Sequence, residues 1–112
     1  MFELRYSEEK NRIYIKLNGV LSEAEFNTYK NSIINLIDNS KTGFTVLADL
    51  SLCDSTILDS SDNFNVIREY GAKKDFKARA LVLNKESYKI YNSNLQGIFL
   101  TIEEAEDYLN KL

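Results

Sequence analysis

Phe44-Thr45-Val46-Leu47-Ala48-Asp49-Leu50 is the stretch on which the reading of this chain turns. Phe44, Val46, Ala48 and Leu50 alternate with Thr45, Leu47 and Asp49, so one set is wholly apolar and the other still carries Leu47. A strand with apolar character on both faces belongs inside a sheet covered on both sides, the setting in which parallel strands are found.

Toward the N-terminus, Phe2 to Tyr6 and Arg12 to Leu17 read as two strands joined by the polar link Ser7 to Asn11, a hairpin. Ser22 with Glu25 three residues later forms a capping box, and Leu21 with Phe26 supplies a hydrophobic staple, so a helix begins there. Phe26, Tyr29, Ile33 and Ile37 make its inward face, and it stops between Asn39 and Gly43. Toward the C-terminus a polar segment, Ser51 to Asn63, precedes a helix from about Ser61 that carries Phe64, Ile67 and Tyr70 and ends near Gly71. Ala78 to Leu83 is a further buried strand. Asn84 to Asn94 reads as a short helix bearing Tyr88 and Tyr91, and Gly97 to Leu100 as a short strand. Thr101 and Glu104 form a second capping box before a last helix with Ala105, Tyr108, Leu109 and Leu112 inward.

The order ββαβαβαβα defines an α/β fold: a mixed sheet of four or five strands with helices packed on it. The parallel strands are expected in chain order, the Phe44 strand inside and the N-terminal hairpin toward one edge. With 112 residues the chain has room for one core, so residues 1–112 are expected to form a single domain.

Composition removes many functions. The chain has 14 basic and 17 acidic residues with no basic run, so no nucleic-acid footprint is present. Its main basic cluster, Lys73, Lys74, Lys77 and Arg79, is read as a solvated loop rim. Apolar runs are too short for membrane insertion, and the N-terminus lacks a secretory pattern, which implies a cytoplasmic protein. The single Cys53 cannot form an internal disulfide and is expected to act as a small buried hydrophobe. Histidine is absent, which excludes Ser-His-Asp triads, Cys-His pairs and histidine-ligated zinc. The glycines lie too far apart for a phosphate loop or a dinucleotide fingerprint. Asp49, Asp54, Asp59 and Asp62 do not come from separate strand ends, so no magnesium site is expected. No cofactor is implied.

The element order, with Asp49-Leu50-Ser51-Leu52-Cys53-Asp54-Ser55-Thr56 after the central strand, resembles the STAS family, the sulfate-transporter and anti-sigma-factor-antagonist domains that include the stage II sporulation AA-like proteins. In the antagonists the matching segment reads Asp-Leu-Ser, two apolar residues, then Asp-Ser-Ser or Asp-Ser-Thr, and the serine after the aspartate is phosphorylated. The resemblance therefore implies Ser55 as the phosphorylation site, with Ser60 as the alternative through Asp59-Ser60-Ser61, and Asp49, Asp54, Thr56 and Asp59 as the switch segment. Ile57 stands where the antagonists carry glycine, and the next glycine of their motif is also missing. Phe99 to Leu112, with Glu104-Ala105 before Tyr108-Leu109, is similar to an uncharacterised STAS-like branch whose last helix follows a short strand.

The bland reading of the same serines and aspartates is helix capping, since their oxygens accept from the first free N–H groups of a helix. Tyr88, Tyr91 and Phe99 either fill a satellite of the core or line a surface for a partner or ligand. Two functions follow: a non-enzymatic regulatory module that binds a protein partner, or a carrier or sensor holding a small lipophilic ligand between sheet and helices. An enzyme working through carboxylates, lysine or tyrosine stands third.

Overall fold

The computed structural model of the chain describes residues 1–19, 21–53, 67, 69–91 and 97–112. The hairpin comes first, with β1 (Phe2–Ser7) antiparallel to β2 (Arg12–Asn18). Asn11 turns the corner in the left-handed region at φ 52°, which asparagine tolerates better than most residues. Its side chain reaches further: Nδ2 donates to the carbonyls of Lys41 and Thr42, and Oδ1 accepts from Tyr6 Oη and Lys41 N. One residue thus ties the hairpin to the link that follows the first helix.

That helix, α1 (Glu23–Asn39), starts at the expected capping box. Ser22 Oγ accepts from Glu25 N at 3.2 Å, and Glu25 Oε1 accepts from Ser22 N at 3.3 Å. Tyr29, Ile33 and Ile37 are buried on one side of it, while Phe26, half-buried, leans on Tyr29. Beyond α1 come β3 (Thr45–Leu52), the helical residues 67 and 69–73 (α2), β4 (Ala78–Val82), α3 (Lys85–Tyr91), β5 (Ile98–Phe99) and α4 (Ile102–Asn110). The five strands lie in chain order with β3 in the middle, and every pair after the hairpin is parallel. This is the order and class the sequence predicts. One detail differs: Leu112 is 49% exposed, because α4 ends at Asn110 and the last residue lies past its buried face.

Strand alternation sorts the core into two layers. Toward α1 and α3 the sheet presents Ile13, Ile15 and Leu17 of β2, Val46, Ala48 and Leu50 of β3, and Leu81 of β4, with Leu83 just past its end. On the opposite face Leu47, Ala80 and Val82 meet Ala105 and Leu109 of α4. Gly97 sits where β5 begins, at φ +70°, and an added Cβ would lie 2.9 Å from the Arg79 carbonyl, so only glycine lets β5 close onto β4 there.

The α4 face also holds a polar cluster. Arg12 is 3% exposed, and its guanidinium donates to Glu106 Oε2, to Thr45 Oγ1 at 2.9 Å and to Asn110 Oδ1 at 3.2 Å. Glu106 also accepts from Tyr14 Oη and from Lys10 Nζ at 3.3 Å. Partial desolvation works against the Glu106 carboxylate, but the Tyr14 and Lys10 hydrogen bonds and the Arg12 and Lys10 charges outweigh it and hold its pKa below the ordinary value. Because the folded pKa lies below the unfolded one, the stabilisation is present above the ordinary carboxylate value of 4.5 and is lost as pH falls through the lower folded value. Glu106→Ala leaves the Arg12 guanidinium buried without its anion. We expect it to lower the unfolding free energy by about 2 to 3 kcal/mol at pH 7 in urea titration, with a difference from wild type that shrinks as both are taken into the acid range. A constant difference down to the acid limit would show that the carboxylate charge is not what Arg12 needs.

Candidate functional site

The carboxyl end of β3 is where a parallel sheet offers its residues to partners, since strand ends and following loops converge there. In this chain that end is tightly organised. Asp49 Oδ1 accepts from Ser51 N at 3.0 Å and from Ser51 Oγ at 2.6 Å, a local turn that fixes the direction in which the chain leaves the strand. Asn84, just past β4, donates from Nδ2 to the carbonyls of Ser51 (3.3 Å) and Cys53 (3.2 Å). Its Oδ1 accepts from Ser87 N at 2.9 Å in the first turn of α3. Asn84 therefore holds the exit of β3 and the start of α3 together.

Cys53 is buried, with Sγ 3.3 Å from the Leu17 carbonyl. Desolvation, and after it the charge of Asp49, push its thiol up to about 11, so it behaves as the buried hydrophobe the sequence suggested. Asp54, Ser55, Thr56, Asp59, Ser60, Ser61 and Asp62 lie outside the described residues. Among the described residues no group of three histidine, cysteine, aspartate or glutamate side chains is placed to hold a metal ion. No helix among the described residues is long and apolar enough to cross a membrane.

The three singled-out aromatics are not brought together. Tyr88 and Tyr91 are half-buried against the layer that contains α1, whereas Phe99 packs on the opposite side of the sheet, its ring 5.2 Å from that of Tyr108. The alternation of β5 sends Ile98 to one face and Phe99 to the other, so a single surface built from all three does not form.

A second feature lies between the sheet and helices α1 and α2: a cavity of about 440 Å³. Its floor is a grid set by strand register. Ile13, Val46 and Arg79 stand side by side in β2, β3 and β4, and Ile15, Ala48 and Leu81 form the next row. Ile33 and Ile37 of α1, with Ile67 and Gly71 of α2, face them across the space. Close-packed interiors rarely hold voids larger than a water molecule. This space is partly open to the surface, so it is a cleft in the apolar layer and not a sealed void.

Sequence reasoning missed Arg79 and Asn84. Arg79 is not a solvated loop-rim residue like Lys77, and Lys73 is exposed at the end of α2. Arg79 lies in β4, half-buried, with the parity of Leu81 and Leu83, and lines the cavity. The signal was available: a charged residue occupies an inward slot of a buried strand. Asn84 carried no such signal, because an asparagine after a strand looks like any turn residue.

No protein-family model and no curated protein sequence matches the chain. Solved structures do. The anti-sigma factor antagonist SpoIIAA in its unphosphorylated form superposes with a TM-score of 0.65 at 16% identity, over 100% of this chain and 98% of that one. The Bacillus cell fate determinant SpoIIAA in its phosphorylated form gives 0.62 at 19% identity, over 97% and 99%. An uncharacterised protein of the DUF3478 family with a SpoIIAA-like fold, from Shewanella loihica PV-4, gives 0.63 at 17% identity, over 97% and 92%. The fold is that of SpoIIAA, the STAS-like architecture that the element order implied.

Two measurements probe the organised strand end. With its thiol pKa about 2 above that of a free cysteine, Cys53 should be alkylated by iodoacetamide at pH 8 at least ~100-fold more slowly than free cysteine. Asn84→Ala should free this region, with Cys53 labelling several times faster and a stability loss of about 1 to 2 kcal/mol. Unchanged labelling in Asn84→Ala would mean that Asn84 does not anchor the segment.

Proposed function

We propose that this chain is a non-enzymatic regulatory module of the STAS type. It acts in the cytoplasm by binding a protein partner and is switched by phosphorylation of a serine beyond β3, Ser55 first and Ser60 as the alternative. The observation that carries this reading is the match of the whole chain to SpoIIAA, an anti-sigma factor antagonist with a phosphorylated and an unphosphorylated form. The Asp49-Leu50-Ser51 segment at the end of the central strand adds to it.

The physics of the strand end supports the same reading. A switch works when the modified residue is presented by a rigid base, so that the added charge alters the outer surface and leaves the core unchanged. Asp49, Ser51 and Asn84 supply that base. A phosphate on Ser55 brings close to two negative charges next in sequence to Asp54, which makes the segment strongly anionic and repels an acidic partner surface. Asp49 and Thr56 belong to the switch as the groups that shape and flank this segment, with Asp59 serving the Ser60 register.

The test begins with mass spectrometry of the protein purified from its own cells, which should find phosphate on Ser55 or Ser60. Ser55→Asp and Ser55→Glu should change the melting temperature by less than a degree or two. Both should weaken recovery of the partner in pull-downs, whereas Ser55→Ala should retain it. Equal recovery by all variants, with no phosphate on either serine, would end the switch reading.

A further inference from the structure

The space between the sheet and helices α1 and α2 is the feature that a partner-binding module does not need. Its walls are almost entirely apolar, and the core residues Ile13, Ile33 and Phe44 are among those that form them. An apolar cavity gives water few partners and is better filled by an apolar molecule. At 440 Å³ it falls within the size range of small-molecule sites.

Arg79 gives the space a direction. It is the one charged side chain among the described residues that line the cavity, and it stands at one end of the floor, in the same row as Ile13 and Val46. From that row to Leu50 the strand runs about 13 Å at roughly 3.3 Å per residue, the length of an extended acyl chain of medium size. Arg79 already has an interaction within the chain, and its fork of N–H donors can engage a carboxylate as well. Phe76 lines the cavity as well, with the exposed Asp75 and Lys77 on either side of it in the sequence. Lys74 is occupied by Asp38 at 3.4 Å.

We infer that this cavity binds a single-chain amphiphile with an anionic head, a free fatty acid, with its carboxylate on Arg79 and its chain running in the strand direction over Ala48 and Leu81 toward Leu50. The apolar floor supplies affinity for any chain of suitable length. Arg79 supplies the choice of an acid over a neutral lipid, because a charge-assisted bidentate bond in an apolar setting has no substitute in an alcohol. The test below uses Arg79 and no residue of the switch, so its outcome is separate from that of the switch.

Isothermal titration of the delipidated full chain with dodecanoate, and separately with dodecanol, tests it. Wild type should show one saturable site for dodecanoate and bind dodecanol about tenfold more weakly. Arg79→Met keeps the length of the side chain and should bring dodecanoate down to the dodecanol affinity while leaving dodecanol unchanged. Arg79→Lys should retain most of the preference, and circular dichroism checks that each variant is folded. If Arg79→Met does not fold, the wild-type preference for dodecanoate and its retention in Arg79→Lys decide. Equal binding of the two ligands by wild type, or an undiminished preference in folded Arg79→Met, overturns the role of Arg79. If folded wild type binds neither ligand saturably, the site itself is refuted and the space is closed by the protein's own side chains.

Discussion

Both faces of β3 have to be kept from water, and the rest of the structure answers that requirement. Val46, Ala48 and Leu50 point one way and Leu47 the other, so the strand cannot lie at an edge or leave either side bare. It is flanked by β2 and β4, roofed on one side by α1 and backed on the other by α4. The parallel pairing requires helical crossovers, and these deliver the covering layer. At its amino end Phe44 packs against Phe76, while Asn11 fastens the hairpin to the link just before it. At its carboxyl end the constraint relaxes, and the chain leaves through the turn that Asp49 and Asn84 fix.

The two faces are held by different physics. The layer toward α1 is apolar and lines a cleft, whereas the α4 side combines a small apolar patch with a largely buried ionic cluster around Arg12 and Glu106. A buried ion pair adds little net stability over a well-packed apolar replacement, but it penalises any arrangement in which its members separate. That suits α4, a helix of nine residues with two buried side chains, which would otherwise have little to fix its register on the sheet. One face is thus pinned by directional bonds, while the other is held by apolar packing.

Much of this was legible in the sequence. Alternation in β2, β3 and β4, the Ser22 and Thr101 caps and the punctuating glycines give the element order, because each depends on neighbours a few residues away. The sheet order followed from double-sided apolarity in β3 and from short connections. What escaped depends on contacts far apart in sequence. Asn84 matters because of carbonyls more than thirty positions earlier, and Glu106 because of Arg12 and Tyr14 at the other end of the chain. Tyr88 and Tyr91 fall on one side of the sheet and Phe99 on the other, a separation set by the pleat of β5 that the weak helical pattern of their segment does not reveal. The serines of the switch were legible only by resemblance, since composition alone treats them as caps.

The central claim is that β3 forms a rigid base whose stability does not depend on what happens beyond its carboxyl end. Amide hydrogen exchange on wild type and on Ser55→Glu tests this directly. The account requires the Val46 to Leu50 amides to exchange only through global unfolding, at the same rate in both proteins, with every difference confined to residues past Leu52 and to the start of α3. Loss of protection within β3 in the variant, or β3 amides that open more readily than those of edge strand β1, would contradict it.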